Sequence, residues 1–156
     1  YIKVMIKIII YLFLLYLLFR KIYKVVIKTI ENYKNKMHYF SVQMADSPHK
    51  RERGLMNVKK PLKKNTGMLF DFKKESRISL WMKNTYIPLE ALFLDRNSNV
   101  VDVAINMVPQ NIKSYKSKEK AKYALEVNKG TIKKLGIKNG DKIGTKLLKK
   151  NITDFK

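Results

Sequence analysis

The sequence contains no cysteine, which excludes disulfide bridges, thiolate zinc sites and cysteine nucleophiles. It does not fix the redox compartment, because a cysteine-free domain suits oxidising and reducing surroundings alike. Histidine is nearly as scarce. His38 and His49 stand in no motif, and two imidazoles without carboxylate partners do not make a typical metal site, so neither metal nor cofactor is expected. Six glycines occur, none in a phosphate-cradling pattern, and both the Walker loop and the dinucleotide fingerprint are missing. No Gly-x-Ser-x-Gly surrounds any serine, so a Ser–His–Asp hydrolase is not indicated.

Acidic residues are also few, 12 against 34 Lys and Arg, for a formal net charge of +22. Residues 1–36 hold eight of the bases and one acid (Glu31). Such a balance fits nucleic acid, anionic lipid or an acidic wall polymer. The bases are mostly lysine, however, and Ile and Asn abound, the composition that an AT-rich genome imposes on a surface. Nucleic-acid readers add arginine and exposed aromatics, so nucleic acid is not the expected partner.

What the chain has in plenty is one apolar run. Ile8 to Phe19 reads IIIYLFLLYLLF, twelve residues without interruption, after Lys3 and Lys7. A basic stretch followed by an apolar one is the layout of an export signal. No small-residue cleavage site follows, since Arg20, Lys21, Ile22, Tyr23 and Lys24 come next, and this favours an uncleaved signal-anchor. Twelve helical residues cover about 18 Å, short of the roughly 30 Å of hydrocarbon. Ile22, Val25, Val26 and Ile27 would prolong the helix, with Arg20, Lys24 and Lys28 forming one basic stripe able to snorkel. Residues 1–30 are therefore expected to be a signal-anchor or signal peptide, with membrane contact through residues 4–30. Met5 is a candidate start. The charge behind the run would hold the domain cytoplasmic by the positive-inside rule, whereas an export signal sends it outward.

Residues 31–36 read as a polar linker, 37–150 as one globular domain and 151–156 as a tail. Beyond Met37 short alternating runs are separated by turn signals every eight to twelve residues, the texture of an all-β protein. Strands are expected at 37–44, around Met68, Phe70 and Phe72, around Ile78, Leu80 and Met82, at 89–94, at 100–107, around Leu125 and at 142–148. In 100–107, Val101, Val103, Ile105 and Met107 alternate with Asp102 and Asn106. Asp46 or Ser47 with Pro48 predicts a short helix ending at Gly54, and a second is expected near 131–135. The fold class is mainly β, a compact sandwich or barrel-like domain with one or two short helices, preceded by a hydrophobic helix.

Several phrases occur together in order: Arg53-Gly54-Leu55-Met56, Gly67-Met68-Leu69-Phe70, Trp81-Met82-Lys83-Asn84-Thr85 with Ile87-Pro88-Leu89, Leu125-Glu126-Val127, Gly130, and Gly140-Asp141. The series resembles the bacterial and archaeal family called domain of unknown function 192, over about residues 42–143. The resemblance implies a compact β domain, often exported behind a signal peptide, so the cell envelope is the expected location. It implies no reaction. Glu90 stands where that family commonly has Asp, and Lys129 where a small residue is usual.

The candidate ligand-binding residues are Trp81, Lys83, Asn84, Thr85 and Glu126: a stacking face, a cation, adaptable hydrogen bonds and a carboxyl. Gly54, Leu55, Met56, Gly67, Met68, Pro88, Gly130 and Gly140 are read as structural. Glu126, between Leu125 and Val127, is expected to be semi-buried, and Lys83 is its candidate partner. Glu126 with Glu90 or Asp102 would form the carboxylate pair of a glycoside hydrolase if the spacing suited it. The expected function is a binding or accessory module for a small polar ligand or envelope component. The alternatives are a hydrolase using Glu126 with Lys83, and a structural or protein-interaction domain in which the same residues only hold the turns together.

Overall fold

The computed structural model describes residues 1–35, 37–149 and 152. It divides into two compact units, Tyr1–Lys36 and Met37–Lys156. The first is one helix, α1 (Ile2–Asn35). Its stretch Ile2–Ile30, 29 residues, is long and apolar enough to cross a membrane. Residues 31–35, the described part of the expected polar linker 31–36, are helical, because ENYKN contains neither proline nor glycine to end the helix.

The second unit runs β1 (Met37–Ala45), α2 (Pro48–Arg53), β2 (Thr66–Ser76), β3 (Ser79–Leu80), β4 (Leu89–Leu94), β5 (Val100–Met107), β6 (Tyr115–Lys116), β7 (Ala121–Asn128), α3 (Thr131–Leu135) and β8 (Lys142–Leu147). Six strands form one sheet in the order β5-β4-β7-β2-β1-β8, and β3 pairs with β6 in a separate two-stranded flap. β1 runs parallel to both β2 and β8, and the other pairings in the sheet are antiparallel. The two edges approach each other at one end, where Asn99 bridges Lys142 and the Val100 N–H donates to the Asp141 carbonyl at 2.8 Å. The architecture is a half-barrel.

Both faces of the sheet are covered, which is why β4 (LEALFL) is buried at every position and shows no alternation. One face carries Phe40, Val42, Leu69, Leu92, Leu94, Leu125 and Val127, and Ile132 and Ile137 of the α3 region pack on it. The opposite face carries Met68, Phe70, Ala91, Phe93 and Ala124 beneath Leu55, Ile78, Leu80, Met82 and Ile87. Ile78, Leu80 and Met82 keep the predicted alternation although only Ser79–Leu80 is ladder-paired. In β5 the expected alternation fails: Ile105 is exposed and Asp102 is buried. The β4–β5 register slips twice: between Phe93 and Leu94, where Val101 is extra and Asp102 comes to face inward, and between Leu89 and Ala91, where Asn106 adopts φ 58°. A positive φ inside a strand turns the chain over, so Met107 returns to the core while Ile105 faces solvent.

The expected short helix is present. Ser47 caps it, accepting from the Lys50 N–H at 3.3 Å, Pro48 opens it, and Gly54 ends it at φ 46°. Of the expected tail, Ile152 is buried and its N–H donates to Gln43 Oε1 at 2.8 Å; the rest lies outside the described residues.

Candidate functional site

The segment after β3 leaves the flap extended and then reverses at Asn84, in the left-handed region at φ 52°. The turn is held by the Thr85 N–H to the Met82 carbonyl at 3.1 Å and the Gln110 N–H to the Thr85 carbonyl at 2.9 Å. Met82 is thereby driven fully into the core, and Trp81 and Lys83, on either side of it, point outward. The Lys83 ammonium sits 5.2 Å from the centre of the Trp81 ring.

Trp81 and Lys83 line a cleft of about 310 Å³. Arg51, Glu52, Arg53 and Gly54 of the α2 region and Phe70 and Phe72 of β2 also line it, and Ser79, Thr85 and Ser114 contribute hydroxyls. Arg51 is held in place: its Nη1 donates to the Asp71 carbonyl at 2.9 Å and its guanidinium lies 5.4 Å from the Phe72 ring.

Glu126 also lines the cleft. On β7 it is flanked by Met68 of β2 and Ala91 of β4, so its side chain rises from the apolar face. It is 4% exposed; among the described residues nothing donates to it or forms an ion pair with it, and its carboxyl oxygens keep a small opening onto the cleft. Burial in these apolar surroundings pushes its carboxyl up to about 8, so at neutral pH it is mostly the uncharged acid, with an O–H to donate.

Four of the five predicted ligand-binding residues, Trp81, Lys83, Thr85 and Glu126, therefore share one cleft. Asn84 does not line it. Its carbonyl accepts from the Asn57 N–H at 2.8 Å, joining this turn to the segment after α2. The expected Lys83–Glu126 ion pair does not form, because Lys83 is exposed over Trp81 while Glu126 is enclosed.

The expected carboxylate pairs do not form either. Glu90 is opposite Val127, and Glu126 opposite Ala91, so the two carboxyls occupy opposite faces of the sheet. Glu90 accepts from the Ile132 N–H at 3.0 Å and so caps α3, whose own N-cap, Gly130, has no side chain to do so. Asp102 shares the face of Glu126 but lies two strands across and two residues along, about 12 Å by strand spacing. Its Oδ2 accepts from the Lys118 N–H at 2.7 Å. Replacing Glu90 by Ala is expected to cost about 1–3 kcal/mol, the penalty of a stranded helix-end donor, while leaving the cleft unchanged. Chemical denaturation, with Trp81 emission as the check on the cleft, measures both.

His38 is structural as well, its Nε2 lying 3.1 Å from Asp141 Oδ2 beside the turn that leads into β8. Among the described residues no group of three or more His, Asp or Glu is placed to hold a metal ion. Of the residues read as structural, Leu55 and Met68 are core, Gly54 and Met56 line the cleft, and the Pro88 carbonyl accepts from the Lys129 N–H at 3.1 Å. Gly130 and Gly140 adopt φ 85° and 90° at the turns around α3.

Reading the residues alone missed Arg51, Arg53, Phe72, Ser79 and Ser114. One signal pointed to the arginines. Only five of the 34 basic residues are Arg, and two of those five stand at 51 and 53.

The fold and the cleft define a mainly β half-barrel domain with one aromatic, cation-rimmed site. The chain belongs to the family of domain of unknown function 192, described as "Uncharacterized ACR", whose model matches residues 29–145. Two solved structures are similar. One, from Sinorhizobium meliloti 1021, is called a "putative transcription regulator"; it is 40% identical, with a TM-score of 0.63, over 65% of this chain and 78% of that one. The other, a protein of unknown function from Novosphingobium aromaticivorans DSM 12444, is 32% identical, with a TM-score of 0.63, over 66% and 73%. No curated protein sequence matches the chain.

Proposed function

We propose that this protein is a ligand-binding module of the cell envelope, held to a membrane by α1, whose site is the cleft of Trp81, Lys83, Thr85 and Glu126. The observation that carries this reading is Glu126. Its side chain is almost wholly withdrawn from water and has no donor among the described residues, yet its carboxyl oxygens are not sealed in the core: they open onto the cleft, where a ligand can supply the missing partner. The cleft around it joins aromatic walls to a few convergent polar groups, the usual make-up of a small-molecule site.

A second reading, a hydrolase, is favoured by the proton that Glu126 retains near neutral pH, as a general acid requires. It predicts that Glu126→Gln abolishes turnover with the fold intact. A nucleic-acid role, suggested by the name of the Sinorhizobium neighbour, has less support. α2 and α3 are six and five residues long, short for a helix that reads a major groove.

The test is thermal unfolding of the full chain in detergent micelles against sugars, peptides, nucleotides, anions and metals. A saturable rise in midpoint, lost in Trp81→Ala and Lys83→Ala, supports the module. No shift with any compound sinks it and leaves a structural or partner-binding domain. Protease protection in intact spheroplasts reports the membrane side; cleavage of the globular unit from outside is the expected result.

A further inference from the structure

The cleft's chemistry narrows what it takes, and this step rests on the binding reading above. Three kinds of surface converge on one space of about 310 Å³, near the lower end for small-molecule sites. Phe72 and Trp81 offer flat apolar faces, and Trp81 is 40% exposed. Ser79 and Ser114 bring hydroxyls that bond to nothing else among the described residues, and Thr85 Oγ1, which donates to the Lys83 carbonyl at 3.3 Å, keeps its lone pairs. Arg51, Arg53 and Lys83 supply positive charge at the rim against the single acid Glu52.

Arginine is the informative residue here. In a chain that uses lysine for 29 of its 34 bases, two arginines two residues apart on one short helix, both lining the cleft, are an exception. A guanidinium presents a planar fork that binds an oxyanion through two parallel hydrogen bonds, which an ammonium cannot do. Arg51 is already oriented by the Asp71 carbonyl and the Phe72 ring. Arg53 has no ion-pair partner among the described residues.

We propose that the cleft binds a hydroxylated ring bearing one anionic group, a sugar acid or a sugar phosphate. The ring lies on Trp81 and Phe72, the anion faces Arg51, Arg53 and Lys83, and a ring hydroxyl accepts from Glu126. The charged groups in the cleft with Glu126 are Arg51, Glu52 and Arg53 from α2 and Lys83 from the segment after β3; its cross-strand neighbours, Met68 and Ala91, are uncharged. No cation pairs with Glu126, so raising the pH ionises it, removes its O–H and sets a second negative charge beside the ligand.

Trp81 is the only tryptophan in the chain, so its emission reports on the cleft alone. The full chain in detergent micelles is titrated with D-glucuronate, glucose 6-phosphate and glucose at constant ionic strength, from pH 6.5 to 9. Saturable changes are expected with one or both anions, at least tenfold stronger than with glucose. Which anion binds tighter tells carboxylate from phosphate. Arg53→Ala is expected to weaken the anions at least tenfold and leave glucose unchanged. Wild-type affinity is expected to fall as pH passes about 8, a fall that Glu126→Gln abolishes. Glucose binding as well as the anions would overturn the anionic ligand while leaving the binding reading in place. No response to any of the three also overturns it. The thermal panel then decides whether the binding reading survives, through a ligand of another class, or falls with it.

Discussion

Replacing Glu126 by Gln is expected to make the protein more stable, by a few kcal/mol at pH 8, although the position is buried in the middle of the sheet. The folded-state carboxyl is raised to about 8 from an ordinary 4.5, and burial is the cause. Below about 4.5 the folded and unfolded chains both hold the proton, and Glu126 gives no pH dependence. Between 4.5 and 8 the unfolded chain releases a proton that the folded chain keeps, so stability falls as pH rises. Above about 8 both forms are ionised and the contribution is level. Within that window each step of one pH unit removes about 1.4 kcal/mol, which sets the size of the effect. Glutamine has nearly the same shape and no charge to desolvate. The difference between wild-type and variant urea midpoints should therefore be near zero at pH 4.5 and grow steadily to pH 8. Parallel curves would mean that Glu126 is paired or hydrated in the folded protein, and the case for the cleft would lose its main support. A gain in stability on removing a carboxyl is the signature of a residue kept for a purpose other than folding.

The largest loss is expected at Gly67. This glycine lies on β2 opposite Val127 of β7, in the middle of the sheet. A Cβ there would stand 2.5 Å from the Glu126 carbonyl oxygen, 2.8 Å from Leu125 Cδ1 and 3.1 Å from Val127 Cγ1. The first contact is with backbone, which no rotamer change can relieve. Gly67→Ala must push β2 away from β7 or twist the ladder that carries Glu126. A cost of about 3 kcal/mol or more is expected, at the upper end for overpacking. Loss of the cooperative thermal transition, or a midpoint lowered by more than about 10 °C, is the anticipated reading. A variant with an unchanged midpoint would show that the two strands sit further apart than this packing requires.

Much of this was legible in the sequence, and for identifiable reasons. Ser47, Pro48 and Gly54 each act through their own backbone geometry, so the short helix could be placed without its surroundings. Met82 between Trp81 and Lys83 carries its orientation in the period of a strand, and the cleft residues on that segment followed. The failures are of another kind. Glu90 and Glu126 differ by which face of the sheet they leave, and that is set by pairing partners distant in the chain. Charge alone matches Lys83 with Glu126, but Glu126 is almost wholly withdrawn from water while Lys83 is exposed, which charge does not reveal. Alternation carried through Asn106 puts Ile105 and Met107 on one face, but the backbone turns over at Asn106 and only Met107 is buried. Arg51 and Arg53 are not legible as site residues because Phe72, on β2, and Trp81, just after β3, which share the cleft with them, lie far from them in the chain.

The position of β1 between β2 and β8 has a consequence for biosynthesis. The first strand of the half-barrel cannot acquire one of its two neighbours until the last strand, Lys142–Leu147, has left the ribosome. Until then Phe40 and Val42 belong to an open edge with unpaired backbone groups, the kind of surface that recruits other chains. A chain cut short before residue 142 therefore loses more than a peripheral strand. It leaves that edge permanently uncovered, and is a natural target for holding chaperones and quality-control proteases.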